Sequence, residues 1–237
     1  MSPKSGFLSV SQCTSRYFLS CLYFHLGDKG RKGDRNEKLL LLRNLLDPTK
    51  SLSFRTIFDS FVRNVIAPHV GNIMKEEVSI YYQGFPCLRI VRPGEFSIGC
   101  HADISYGFSQ GNVNFYVPLT RIFGTNSLVL ESVPELEDWH VIDAQFGYIK
   151  RFYGVLCSHF TTSNNTDQTR VSLDFRVIPG SCWQAEHDHF TSVTGYYSQC
   201  IKPTSCINMF SHSTTEWIRV GELLQPDYRV GFPFTRK

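Results

Sequence analysis

The stretch "RVSLDFRVIP", residues 170–179, reads as a β-strand closed by Pro179. Alternate side chains of a strand share a face, so Arg170 and Ser172 stand side by side, a guanidinium fork next to a hydroxyl, a pair suited to a carboxylate. Seven similar runs lie upstream: "VSIYYQ" from residue 78, "CLRIVRP" from 87, "EFSIGCHADI" from 95, "NVNFYVPLT" from 112, "SLVLESV" from 127, "HVIDAQFGYIKRFYG" from 140 and "LCSHFTT" from 156. Each is bounded by Gly, Pro or Asn. Eight short strands so spaced predict a mainly β chain: a double-stranded β-helix, the cupin-like jelly roll.

Upstream of the strands the period is helical. "NEKLLLLRNLL", residues 36–46, starts at a capping Asn36 and stops at Asp47-Pro48. "FRTIFDSFVRNVI", residues 54–66, sets apolar side chains at 54, 57, 58, 61, 62, 65 and 66, an amphipathic helix that Pro68 is expected to end. These helices are expected to flank the sheet. Residues 1–36 read as an N-terminal extension and 37–237 as one domain, with a jelly-roll core over about 78–180 and a covering segment over 181–237.

Of the 237 residues, 42% are hydrophobic and 14% aromatic, ample for a sizeable core. The net charge of +3 is too mild for a nucleic-acid binder, and the cluster Lys29, Arg31, Lys32, Arg35 reads as a solvated loop. The apolar run "YFLSCLYFHL", residues 17–26, is too short to span a bilayer. Eight cysteines without a C-x-x-C read as reduced thiols. The expectation is a soluble cytoplasmic protein with no nucleic-acid or membrane partner.

The chemistry starts at "GCHADISYG", residues 99–107, where a strand would put His101 and Asp103 on one face. By itself this is either a metal site or a wet strand face. His159, 56 residues beyond Asp103 on another expected strand, supplies a third ligand. Two imidazoles and one carboxylate on one face of an octahedral ion, with open positions opposite, make the facial triad of non-haem Fe(II) oxygenases. Arg170 follows eleven residues after His159, with Ser172 beside it.

H-x-D, a distal histidine and R-x-S in this spacing resemble the Fe(II)/2-oxoglutarate-dependent dioxygenase superfamily. The flanking "NFYVPLTRIFGTNSLVLES" and "NNTDQTRVSLDFRVIP" resemble its small-molecule branch, close to oxygenase-like proteins of antibiotic biosynthesis of the streptomycin-cluster type. The resemblance implies that His101, Asp103 and His159 hold Fe(II) and that Arg170, with Ser172, binds the distal carboxylate of 2-oxoglutarate. It implies oxidation of a small-molecule substrate by dioxygen with release of succinate and CO2, ascorbate being a supporting reductant. Halogenating relatives lack the carboxylate ligand, so Asp103 points to hydroxylation or a related oxidation.

Asn114 and Tyr116 share a face of "NVNFYVP" and reach either the keto acid and substrate or a structural partner. Arg89 pairs with a substrate acid or with a buried Glu, and Asn126 is a further substrate candidate. Glu131 is expected to cap or pair within the barrel. "EHDHF", with His187 and His189, is a competing metal motif, a solvated loop or a substrate-facing lid. Two other classes stay open: a non-catalytic jelly-roll ligand-binding protein, and a cupin-type metalloenzyme that uses no keto acid.

Overall fold

The computed structural model describes residues 7–9, 54–75, 79–192, 195–203 and 216–221. The helix expected over 36–46 and the basic cluster lie outside them, as does most of the covering segment beyond residue 203.

The centre of the molecule is the strand over Arg170–Pro179, β9, the longest among the described residues. On one side it pairs with β4 (Val113–Pro118); on the other it pairs first with β3 (Cys87–Val91) and then, past Phe175, with β2 (Ser79–Gln83). Outward from β4 come β7 (Tyr148–Phe152) and β1 (Phe7–Ser9); outward from β2 come β10 (Tyr197–Ile201) and β11 (Ile218–Val220). A smaller sheet orders β6 (His140–Val141), β5 (Val129–Leu130) and β8 (His159–Phe160). Every pairing among the described residues is antiparallel.

Strand alternation divides β9 between two environments. Val171, Leu173, Phe175 and Val177 face a core shared with Phe54, Phe58, Val62, Ile66 and Val70 of the helical run. Phe175 packs edge-on against Phe58 at 5.1 Å and stacks with Phe115 at 5.6 Å. On the opposite side a second cluster, including Tyr116, Leu128, Leu130, Ile142 and Phe152, joins the large sheet to the small one. The molecule is thus layered as helix, large sheet, small sheet, with the even-numbered side chains of β9 enclosed between the sheets.

Four expectations are corrected in detail. The helix does not stop at Pro68: α1 (Phe54–Phe61) runs through a π turn (Val62–Ile66) into α2 (Ala67–Met74). The Ala67 N–H bonds the Val62 carbonyl, and this widening just before Pro68 accommodates a ring with no N–H to donate. "EFSIGCHADI" forms no continuous strand. Ser97 and Ile98 give their N–H groups to the Thr161 hydroxyl, 2.9 Å each, and only His101 makes a ladder bridge, to His159. "HVIDAQFGYIKRFYG" divides into β6 and β7, which belong to different sheets. The covering segment, which shows no strand period, contributes β10 and β11 as strands that extend the large sheet. Of β10 only Cys200 is buried, so the usual apolar alternation is missing from "YSQCI".

Candidate metal centre

His101 closes its bridge to His159, Ala102 is still extended (φ −108°, ψ 143°), and Asp103 opens a 3-10 turn over Asp103–Tyr106. The extended residue between them keeps His101 and Asp103 on one side although the strand has ended. The turn is pinned by Asp103 N–H to the Gly154 carbonyl (2.9 Å) and Ile104 N–H to the Val155 carbonyl (3.0 Å). His159 arrives from the partner strand of the same bridge.

Ligand atoms of His101, Asp103 and His159 lie within 4.8 Å of one another, the one such cluster among the described residues. His101 Nδ1 donates to the Gly99 carbonyl (2.8 Å) and His159 Nδ1 to the Cys157 carbonyl (3.0 Å). A carbonyl only accepts, so the proton of each pair sits on Nδ1 and Nε2 of each ring faces inward. These nitrogens sit 3.5 Å and 3.7 Å from Asp103 Oδ1, too far for good hydrogen bonds. Burial lowers the His159 pKa to about 4, against the opposing pull of Asp103, so this ring is neutral at pH 7. Lone pairs converging without a donor between them fit a metal cation.

Asp103 is fully buried. Burial alone would raise its pKa, but the Arg176 guanidinium, with His101 and His159, holds it well below the usual carboxylate range. Arg176 Nε donates to Oδ2 (2.9 Å), Arg176 Nη2 lies 2.9 Å from Oδ1, and Asn114 Nδ2 donates to Oδ2 (2.7 Å). Asn114 and Arg176 are cross-strand partners on β4 and β9, which is why both reach the same carboxylate.

Along β9 the enclosed face continues from Arg176 through Asp174 and Ser172 to Arg170. Arg89 forms a two-pronged pair with Asp174 (2.8 and 3.3 Å). Arg170 is 2% exposed, donates from Nη1 to the Asn126 carbonyl (3.1 Å), and leaves Nε without a partner. No carboxylate among the described residues pairs with it. The buried Tyr116 hydroxyl has Ser172 beside it, without the geometry of a made hydrogen bond. One pocket is lined by Arg170, Tyr116, Asn114, Arg89, His101 and His159.

Asn126 stands apart. Its amide oxygen accepts the Phe123 N–H (2.8 Å), its amide nitrogen bonds Thr166, and only its backbone carbonyl touches Arg170. Glu131 ties β5 to the residue before His159 by accepting the Ser158 N–H (2.5 Å). In "EHDHF", Asp188 is buried, accepting from Ser109, Asn112 and Tyr197. His187 bonds Gln184 (2.9 Å), and no metal-ligating cluster forms there. Arg176 and Asp174 are additions to the expected set. The strand alternation that pairs Arg170 with Ser172 extends to both, so the signal is present in "RVSLDFR".

No family model matches the chain. Over 117 residues it is 32% identical to the streptomycin biosynthesis protein StrG of Streptomyces griseus, covering 48% of this chain and 55% of that protein. The chain thus spans about half the length of this curated relative. Among solved structures it is similar to the non-heme monooxygenase ThoJ in its apo form (TM-score 0.49, 14% identity, 74% of each chain). It is also similar to the α-ketoglutarate-dependent epimerase SnoN from nogalamycin biosynthesis (TM-score 0.45, 11% identity, 94% of this chain and 89% of that one). A third is a 2OG-Fe(II) oxygenase family oxidoreductase from Burkholderia pseudomallei (TM-score 0.43, 15% identity, 52% and 55%).

Proposed function

We propose that this chain is an Fe(II)- and 2-oxoglutarate-dependent oxygenase, built on a double-stranded β-helix and oxidising a small metabolite. The observation that carries the reading is Arg170: a buried guanidinium with no acid partner among the described residues, lining the same pocket as His101 and His159. A buried charge needs a counter-charge, and here an anionic ligand supplies it. A metal centre alone leaves Arg170 without a task; a keto diacid that reaches from the metal to the guanidinium gives it one. The curated relative is named for streptomycin biosynthesis, which suits a small-molecule substrate.

In this mechanism His101 Nε2, His159 Nε2 and Asp103 Oδ1 would hold the iron. Bound iron, with 2-oxoglutarate and dioxygen, supplies the oxidising power for attack on a C–H bond, with loss of CO2 and formation of succinate. The remaining work belongs to the protein. Arg170 binds the distal carboxylate, with the Ser172 and Tyr116 hydroxyls beside it as further donors. The Arg89–Asp174 pair is neutral as a unit, so it shapes the pocket without competing for that carboxylate. Leu128 and Phe152 line the pocket and exclude water from it.

Arg170→Leu tests the reading. In metal-loaded protein the substitution should weaken 2-oxoglutarate binding about 100-fold, the worth of a charge-assisted fork, and leave metal affinity unchanged. Calorimetric titration reads both. Equal 2-oxoglutarate affinity in the variant, or no binding by the unmutated protein, would overturn the assignment.

A further inference from the structure

We propose, on the basis of the metal-centre reading, that Arg176 is a positioning residue that decides which oxygen of Asp103 meets the metal ion, and that Phe108 holds Arg176 in place for it. The two carboxylate oxygens are not equivalent. Oδ2 accepts from both Asn114 Nδ2 (2.7 Å) and Arg176 Nε (2.9 Å), which uses its two lone pairs. Oδ1 has Arg176 Nη2 at 2.9 Å as an ion-pair contact without hydrogen-bond geometry, and it faces the His101 and His159 Nε2 atoms at 3.5 and 3.7 Å. Turning the carboxylate to offer both oxygens would break charge-assisted bonds in a site closed to water. With Oδ2 occupied by two donors, Oδ1 is the oxygen left to a metal ion, so one-oxygen ligation would be favoured.

Arg176 is itself confined. The Phe108 ring lies against the guanidinium, 3.9 Å from its carbon to the ring centre. Phe108 stacks on Phe190 at 4.3 Å, and Phe190 stacks on Tyr196 at 4.6 Å. Gln83 Oε1 accepts from Nη1 at 3.4 Å. A segment of the chain beyond residue 181 thus bears on Asp103 through a stack of rings and one guanidinium.

A purely structural Arg176 would only neutralise a buried carboxylate, and the two roles predict opposite results. If Arg176 were a neutralising charge alone, Arg176→Gln would leave Asp103 in want of a cation and would tighten metal binding. If it positions the carboxylate, Arg176→Gln weakens binding by about 10- to 100-fold, and Arg176→Lys, which keeps the charge but not the fork, does the same. The experiment is Ni(II) titration of the metal-free full chain by calorimetry, with far-UV circular dichroism as the check on folding. Phe108→Leu, which keeps both Asp103 and Arg176 but removes the ring that confines the guanidinium, should weaken Ni(II) binding by about three- to tenfold and carries the test should Arg176→Gln not fold. Unchanged or tighter Ni(II) binding in folded Arg176 and Phe108 variants would overturn the proposal while the metal centre stands. Equal Ni(II) binding by the unmutated protein and His101→Ala would remove the metal centre, and this proposal with it.

Discussion

His159 carries a pH-dependent cost at the scale of one residue. In the metal-free protein, burial lowers its pKa from 6.5 to about 4. Between those values the unfolded chain binds a proton on this ring that the folded chain refuses, so folded stability falls as pH falls from about 6.5 to about 4. The loss is at most about 3 kcal/mol. Urea unfolding of the metal-free protein at pH 7, 5.5 and 4.5 should show the decline, and His159→Gln should flatten it. A stability that is level across this window in the unmutated protein would mean the ring is not buried as described. Single residues were also where the sequence spoke most clearly. His101, Asp103 and His159 do converge, because His101 and His159 face each other across one bridge and Asp103 lies two residues beyond it; the H-x-D motif is visible in the sequence, the bridge is not. Arg176 was harder to see, since its role is set by Asp103, a residue 73 positions away that comes close only once the sheets have formed.

Elements obey the same logic over longer stretches. The large sheet and the helix adhere through Phe175, which touches Phe58, Phe61 and Phe115. Phe175→Ala should cost about 3–5 kcal/mol in chemical unfolding, and Phe175→Leu markedly less, because volume and apolar contact are largely kept. Near-equal losses for both would mean the contact depends on ring geometry rather than on filled space. The strands around Phe175 were legible because alternation and Pro or Gly punctuation agree there. Pro68 misled because the π turn that relieves it leaves no mark in apolar spacing. The run 95–104 misled for a different reason: its backbone is held by the Thr161 hydroxyl, and a side chain that replaces a ladder partner is invisible in hydrophobic period. β10 lacks a buried alternate face, so only its pairing with β2 defines it.

For the molecule as a whole, the decisive feature is the balance of charge between the sheets. Arg89 is matched by Asp174 and Arg176 by Asp103, while Arg170 has no carboxylate partner among the described residues. Sequence composition averages this away, since a net charge of +3 over 237 residues says nothing about where one uncompensated cation is enclosed. No helix among the described residues is long and apolar enough to cross a membrane. The layered sheets keep His101, Asp103 and His159, the Arg176 guanidinium and the Arg170 guanidinium in one enclosed region, and the proposed joint chemistry of metal and keto acid rests on that shared location. The most direct test is to add Fe(II) and then 2-oxoglutarate to the purified protein without oxygen and to record the visible spectrum. A weak visible absorption band that needs both additions, and that is absent in Asp103→Ala and diminished in Arg170→Leu at the same 2-oxoglutarate concentration, is the predicted result. A folded protein that gives no band, or a band of equal strength in all three proteins, would contradict it.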